Sequence, residues 1–219
     1  MFRRSSAPLV PKASARVNDE NVNLALIEAC RVSDVDLAAR LLKSGANPNF
    51  IAPGIFGAET PLHYAWGRST SRKLLELLLN NGANPNIRPE PNGLPLEVAC
   101  AEGDREAAQL LLKYGANPNI KDNDGWTALM LACGGQDTVL VLKLLEGGAD
   151  PNASDNEGWT SLMNAAKTGN QDIVNLLLRA GADPKPIDND GRSAASVASA
   201  NGHSALAATL QSACSQRLK

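Results

Sequence analysis

Gly148-Ala149-Asp150-Pro151-Asn152 is one copy of a string that runs through the chain at near-constant spacing. It appears as Gly45-Ala46-Asn47-Pro48-Asn49, again at Gly82 and Gly115, and last as Gly181-Ala182-Asp183-Pro184-Lys185. The intervals between these glycines are 37, 33, 33 and 33 residues. A second string keeps the same step: Gly125-Trp126-Thr127, Gly158-Trp159-Thr160 and Gly191-Arg192-Ser193. Two strings locked at one period mark a repeat architecture, in which no single unit can bury its own apolar face and neighbours must stack.

The segment from Trp159 to Asp183 shows what one period encodes. Thr160 is a good N-cap, because its hydroxyl can accept from an unpaired amide of a first turn. A short helix carrying Leu162 and Ala165 follows. Gly169-Asn170 makes a turn, and a second helix places Ile173, Val174, Leu177 and Leu178 on one stripe. Gly181 ends that helix in the left-handed region, where a Cβ is penalised. Pro184 prevents the helix from resuming. Each unit therefore reads as helix, turn, helix and extended finger.

The 33-residue period, the tetrapeptide Thr60-Pro61-Leu62-His63 followed by Ala65, and the Gly-Ala-Asp/Asn-x-Asn helix ends together resemble the ankyrin repeat. The resemblance covers about residues 22–213. It implies an all-α ankyrin-repeat solenoid of about six helix-turn-helix units with extended, β-hairpin-like fingers. The expected organisation is a flexible basic tail over 1–20 and repeats over 21–214, then a C-terminal tail at 215–219. The units run about 21–50, 51–87, 88–120, 121–153, 154–186 and 187–214. The first and last units are expected to act as caps, the last being rich in Ala and Ser so that its outer face stays wet.

Departures from the pattern occur in several units. Leu94-Pro95-Leu96-Glu97 lacks the threonine cap, a loss of about 1 kcal/mol locally. Met130 and Met163 stand where His63 stands in the second unit. The finger from Gly45 to Thr60 takes fifteen residues where later ones take twelve. This enlarged finger is apolar, with Phe50, Ile51, Ile55 and Phe56. Trp66 occupies the place held by Cys30, Cys100, Cys133 or Ala166 in other units. Phe56 and Trp66 either fill one another's cavity or present an aromatic patch to a partner.

The composition narrows the functional classes. A net charge of −2 over 219 residues argues against a nucleic-acid binder, which shows a basic stripe. No apolar run reaches the roughly 18 residues of a membrane span, and no signal-peptide core is present. Arg3, Arg4, Lys12 and Arg16 precede the first acid, Asp19, as in an organelle transit peptide, although Pro8 and Pro11 interrupt the helix such a peptide needs. A cytoplasmic, monomeric protein is the expectation, with an organelle or the nucleus as alternatives.

The residues of an enzyme do not converge. His63 and His203 lie about four units apart and cannot share a site, so no catalytic group and no cofactor is assigned. Cys30, Cys100 and Cys133 each precede a helix-ending glycine by fifteen residues, the same small buried place in three units, and no C-x-x-C suggests a metal. Asp122-Asn123-Asp124-Gly125 and Asp188-Asn189-Asp190-Gly191 imitate a calcium loop. Ile120 and Pro186, however, stand where its first acid would be, and a tight turn explains them better.

What the resemblance implies for function is a partner protein held on a concave face of fingers and first helices. The equivalent surface positions are Trp126, Trp159 and Arg192 before the helix caps, with Asn123, Asp124, Asn156, Glu157, Asn189 and Asp190 at the finger tips. Glu102, Lys167 and Thr168 stand at first-helix ends. Two tryptophans at one repeat position either cover the neighbouring finger or form a binding hot spot. The acidic tips predict a partner with a basic rim. A structural assembly subunit, using the convex or cap surfaces, is the other expectation. Asn152, preceded by Leu144 and Asp150, resembles ankyrin asparagines hydroxylated by an oxygenase, with Pro151 departing from the usual aliphatic residue.

Overall fold

The computed structural model describes residues 13–54, 57–65, 71–88 and 93–216, which divide into two compact bodies, 1–83 and 84–219. Phe56 and Trp66 lie outside the described residues. In the first body, α1 (Ala13–Arg31) packs on α2 (Val35–Lys43), which packs on α3 (Ser71–Asn80). The helix α1 begins inside the stretch that the sequence assigns to a flexible tail, so the boundary at residue 20 is not where helical structure starts. The enlarged finger is a two-stranded antiparallel hairpin, β1 (Ala52–Gly54) and β2 (Gly57–Glu59), with Ala52 opposite Glu59. The Thr-Pro-Leu-His segment forms a 3-10 turn, Pro61–Tyr64, and Thr60 makes no side-chain cap there.

The second body repeats one unit four times. Inner helices α4 (Pro95–Glu102), α6 (Ala128–Gly134), α8 (Ser161–Thr168) and α10 (Ala194–Ala200) stack side by side. Outer helices α5 (Arg105–Lys113), α7 (Thr138–Glu146) and α9 (Gln171–Arg179) form a second row, and α11 (Ser204–Gln216) closes against α10. The caps are those the sequence encodes. Thr127 accepts from the Met130 amide at 3.4 Å, Thr160 from Met163 at 3.3 Å and Ser193 from Ser196 at 3.2 Å. Asp104, Asp137 and Asn170 cap the outer helices in the same way. The glycines at 45, 82, 115, 148 and 181 all have positive φ.

In the second body the asparagines at 86, 119 and 152, which end Gly-Ala-Asn/Asp-Pro-Asn strings, fasten one unit to the next through both ends of the side-chain amide. Asn119 donates from Nδ2 to the Gly148 carbonyl at 2.9 Å and accepts the Asp150 amide at 2.7 Å. Asn86 does the same with Gly115 and Asn117, and Asn152 with Gly181 (3.2 Å) and Asp183 (2.7 Å). In the first body, where no finger precedes α1 among the described residues, Asn23 of α1 accepts the Asn47 amide at 2.6 Å in place of such an asparagine.

Leu74, Leu78, Leu111, Leu129, Leu144, Leu162, Ile173 and Leu177 are fully buried. Cys30, Cys100 and Cys133 are buried among them and all four cysteines are free. Burial pushes the Cys30 and Cys100 thiols up to about 12, and Cys133 higher still. Only Cys214 is half-exposed. Because the thiolate is the reacting form, native protein treated with iodoacetamide at pH 8 should gain one adduct, at Cys214, and four after denaturation. Two or more adducts on native protein, seen by intact mass, would show that these cysteines are not sealed in the core.

Candidate functional site

The fingers of the second body are built by three aspartates at one repeat position. Asp122 Oδ1 accepts the amides of Asp124 (2.9 Å) and Trp126 (2.7 Å). Asp155 does so for Glu157 (2.9 Å) and Trp159 (2.8 Å), and Asp188 for Asp190 (3.0 Å) and Arg192 (2.8 Å). A backbone bond closes each tip, such as Asp155 N–H to the Trp159 carbonyl at 2.9 Å. The aspartates that resemble a calcium loop thus spend an oxygen on backbone amides, as turn-forming Asp side chains do. The same geometry fixes where the residue before each helix cap begins.

Fingers are also tied to one another. The Asn156 amide donates to the Asp124 carbonyl at 3.0 Å and its Nδ2 to the Asn123 carbonyl at 3.0 Å. The Asn189 amide donates to the Glu157 carbonyl at 2.9 Å. Lys121 Nζ reaches the Ser154 carbonyl at 2.6 Å.

The residues aimed by these tips are not equivalent. The Trp159 indole donates from Nε1 to Asn164 Oδ1 at 2.8 Å, and Asn164, 6% exposed, donates on to the Met130 carbonyl at 3.2 Å. The Arg192 guanidinium lies over the Trp159 ring, 5.2 Å from its centroid, in a cation–π contact. It is held by Asp188 Oδ2 at 2.7 Å and Asp190 Oδ2 at 2.9 Å. Burial alone would raise the Asp188 pKa; the amide and guanidinium of Arg192 outweigh it and hold the carboxyl below its ordinary value. Trp126 has neither feature. Leu131 stands where Asn164 would accept from it, and its indole N–H makes no hydrogen bond among the described residues.

Between these groups lies a groove of about 740 Å³. Seven residues singled out from the sequence line it: Asp124, Trp126, Asn156, Glu157, Trp159, Lys167 and Arg192. Both tryptophans are half-buried, while Asp124, Glu157 and Lys167 are exposed. Asn123 contributes a backbone carbonyl to the finger ladder and does not line the groove. Asn152 lies outside it, exposed, with its amide engaged between units. Sequence reasoning missed Asp155 and Asn164 in the lining, and the floor from α10, where Val197 and Ala200 face the groove.

Groups with free chemistry in the groove are therefore few: the Trp126 indole, the Asp124 and Glu157 carboxylates, the second oxygen of Asp155 and the Lys167 ammonium. None is arranged as a nucleophile beside a base. No helix among the described residues is long and apolar enough to cross a membrane.

The comparisons with known proteins agree with this architecture. The family model for ankyrin repeats matches in three copies, over residues 69–155, 96–188 and 139–217. The human 2-5A-dependent ribonuclease is 39% identical over 89 residues, 41% of this chain and 11% of that protein. An Arabidopsis thaliana protein bearing the name E3 ubiquitin-protein ligase XBAT35 is 42% identical over 79 residues, 36% of this chain and 17% of the relative. The match thus spans well under a fifth of either relative and carries no information on the activities in their names. The repeat period, the stapling asparagines and the family match over more than half of the sequence lead to one conclusion: the chain belongs to the ankyrin repeat family.

Proposed function

We propose that the chain binds a partner protein on its finger and inner-helix face, centred on the groove between Trp126 and Trp159. Ankyrin repeats are protein-interaction modules in general. The observation that supports this location is Trp126, a large aromatic whose indole N–H has no hydrogen-bond partner among the described residues and which borders a groove lined by two tip carboxylates, Asp124 and Glu157. Tryptophans so placed carry a large share of interface energy. The carboxylates of Asp124 and Glu157 favour a partner with a basic rim.

A second reading, an assembly subunit held by its outer helices, draws on Val139 (45% exposed) and Leu142 (39% exposed) on α7. Trp126→Ala separates the two, because that side chain makes no hydrogen bond among the described residues. Partners captured from native lysate by the wild-type chain should bind Trp126→Ala about 30-fold more weakly, a hot-spot loss of about 2 kcal/mol. Trp159→Ala should behave alike once circular dichroism shows its helices intact. Unchanged capture by both variants would overturn the groove reading and favour the outer face.

A further inference from the structure

The repeat carries its own model of a ligand. In the last finger, a guanidinium rests on the tryptophan of the preceding unit and bonds the first and third residues of its own tip: Arg192 on Trp159, between Asp188 and Asp190. Moved back by one 33-residue period, the same set becomes Trp126, Asp155 and Glu157. All three line the groove. The residue in Arg192's place is Trp159, whose indole is drawn away to Asn164 at 2.8 Å. The Arg192 side chain has no such option, since Val197 stands where Asn164 would. Among the described residues no side chain takes the position over Trp126 that Arg192 takes over Trp159, and neither Asp155 nor Glu157 makes an ion pair.

We infer that this position receives an arginine side chain from the partner, with its guanidinium stacked on Trp126 and paired with Asp155 Oδ2 and Glu157, and with Asp124 adding negative charge from the preceding tip. This rests on the groove being the binding face and specifies the chemistry it reads. Arginine rather than lysine fits because the planar guanidinium can stack on a ring while donating sideways to two carboxylates, as Arg192 does. A lysine ammonium is a compact point charge without that geometry. One acceptor is pre-organised: Asp155, which lines the groove, is fixed by two backbone amides through Oδ1, and its Oδ2 makes no hydrogen bond among the described residues.

The probe is a blocked pentapeptide, acetyl-Gly-Ser-Arg-Ser-Gly-amide, with lysine and citrulline versions, titrated at low salt into ¹⁵N-labelled protein. The readout is the indole N–H signals, with Trp126→Phe assigning the Trp126 peak. The arginine peptide should move that peak saturably in the millimolar range, the lysine peptide about threefold more weakly, and citrulline about tenfold more weakly or not at all. Asp155→Asn with Glu157→Gln should weaken the arginine peptide about tenfold while keeping the Oδ1 acceptor that builds the tip; Asp172→Asn on α9 should change nothing. No saturable shift of Trp126, or equal binding of the lysine or citrulline peptide, would overturn the inference. If partner capture still depends on Trp126 in that case, the groove reading stands and only the arginine assignment falls. If capture is indifferent to Trp126, the groove reading falls by itself.

Discussion

Gly125→Ala should destabilise the second body by about 3 kcal/mol, the sum of a left-handed backbone penalty and an overpacking penalty, less the entropy lost by the unfolded chain. Gly125 has φ +87, and a Cβ on it would sit 2.7 Å from the Asn156 amide nitrogen and 2.9 Å from the Asp155 Cα. Those are backbone atoms of the next finger, which cannot swing aside as a side-chain end can. The Asn156 amide bond to the Asp124 carbonyl would be forced open with them. Two other glycines at the same repeat position supply the internal scale. A Cβ on Gly158 (φ +79) would meet the Asp188 Cα at 3.2 Å, a tight but adjustable contact. One on Gly191 (φ +77) would meet nothing within 4 Å, and no further finger stacks on it among the described residues. All three alanine variants share the backbone penalty of about 1–2 kcal/mol, so their differences isolate the clash. The expected order of loss is Gly125, then Gly158, then Gly191, with Gly125→Ala melting roughly 6–12 °C lower than wild type. Equal losses at Gly125 and Gly191 would mean that finger-to-finger contact contributes nothing to stability.

The same series shows which parts of this molecule could be read from its sequence. Repeat period, caps and helix stops follow from local chemistry that each unit writes out in full: Thr127, Thr160 and Ser193 at N-caps, glycine at 148 and 181. The finger ladder was half legible. The Asp-x-x-Gly pattern predicts a tight turn, but that Gly125 also abuts the next backbone follows only from stacking. Trp126 and Trp159 read as equivalent in sequence and are not. Aligning residue 164 with its counterparts would have exposed the difference, because Val98, Leu131 and Val197 are apolar where Asn164 is polar. A polar residue at a repeat position otherwise apolar signals a specific hydrogen bond, here the one that orients Trp159. The floor from α10 could not be read, because Val197 and Ala200 look like ordinary core residues until the inner helices are set side by side.

Glu97→Ala should cost about 3 kcal/mol, because it removes a helix cap and strands a largely buried guanidinium. The sequence suggested that α4 begins uncapped, since Leu94 replaces the usual threonine. Leu94 indeed offers no side-chain acceptor, yet its amide is not orphaned: Glu97 Oε2, three residues on, accepts it at 2.9 Å. Glu97 Oε1 meanwhile accepts from Arg88 Nη2 at 2.6 Å, with side-chain exposures of 10% and 19% for the pair. Arg88 also donates to the Lys121 carbonyl of the following finger at 3.1 Å. A carboxylate in the histidine position of the tetrapeptide thus satisfies the Leu94 amide, a different donor from the one a threonine would take, and links three successive segments. Burial raises the Glu97 pKa against the pull of the Leu94 amide and Arg88, so its charge is held at a cost. The Leu94 amide bond and the pair with Arg88 are what offset that burial. Glu97→Gln, whose single amide oxygen can accept from Leu94 or from Arg88 but turns an NH2 donor toward the other, should lose about 2 kcal/mol, less than Glu97→Ala because one of the two acceptors is kept. Arg88→Ala combined with Glu97→Ala should lose less than the sum of the single variants, because no unpaired guanidinium remains. Thermal or urea unfolding of the four proteins decides the matter. If Glu97→Gln is as damaging as Glu97→Ala, a single retained acceptor contributes nothing, and both carboxylate oxygens are needed to hold the segments.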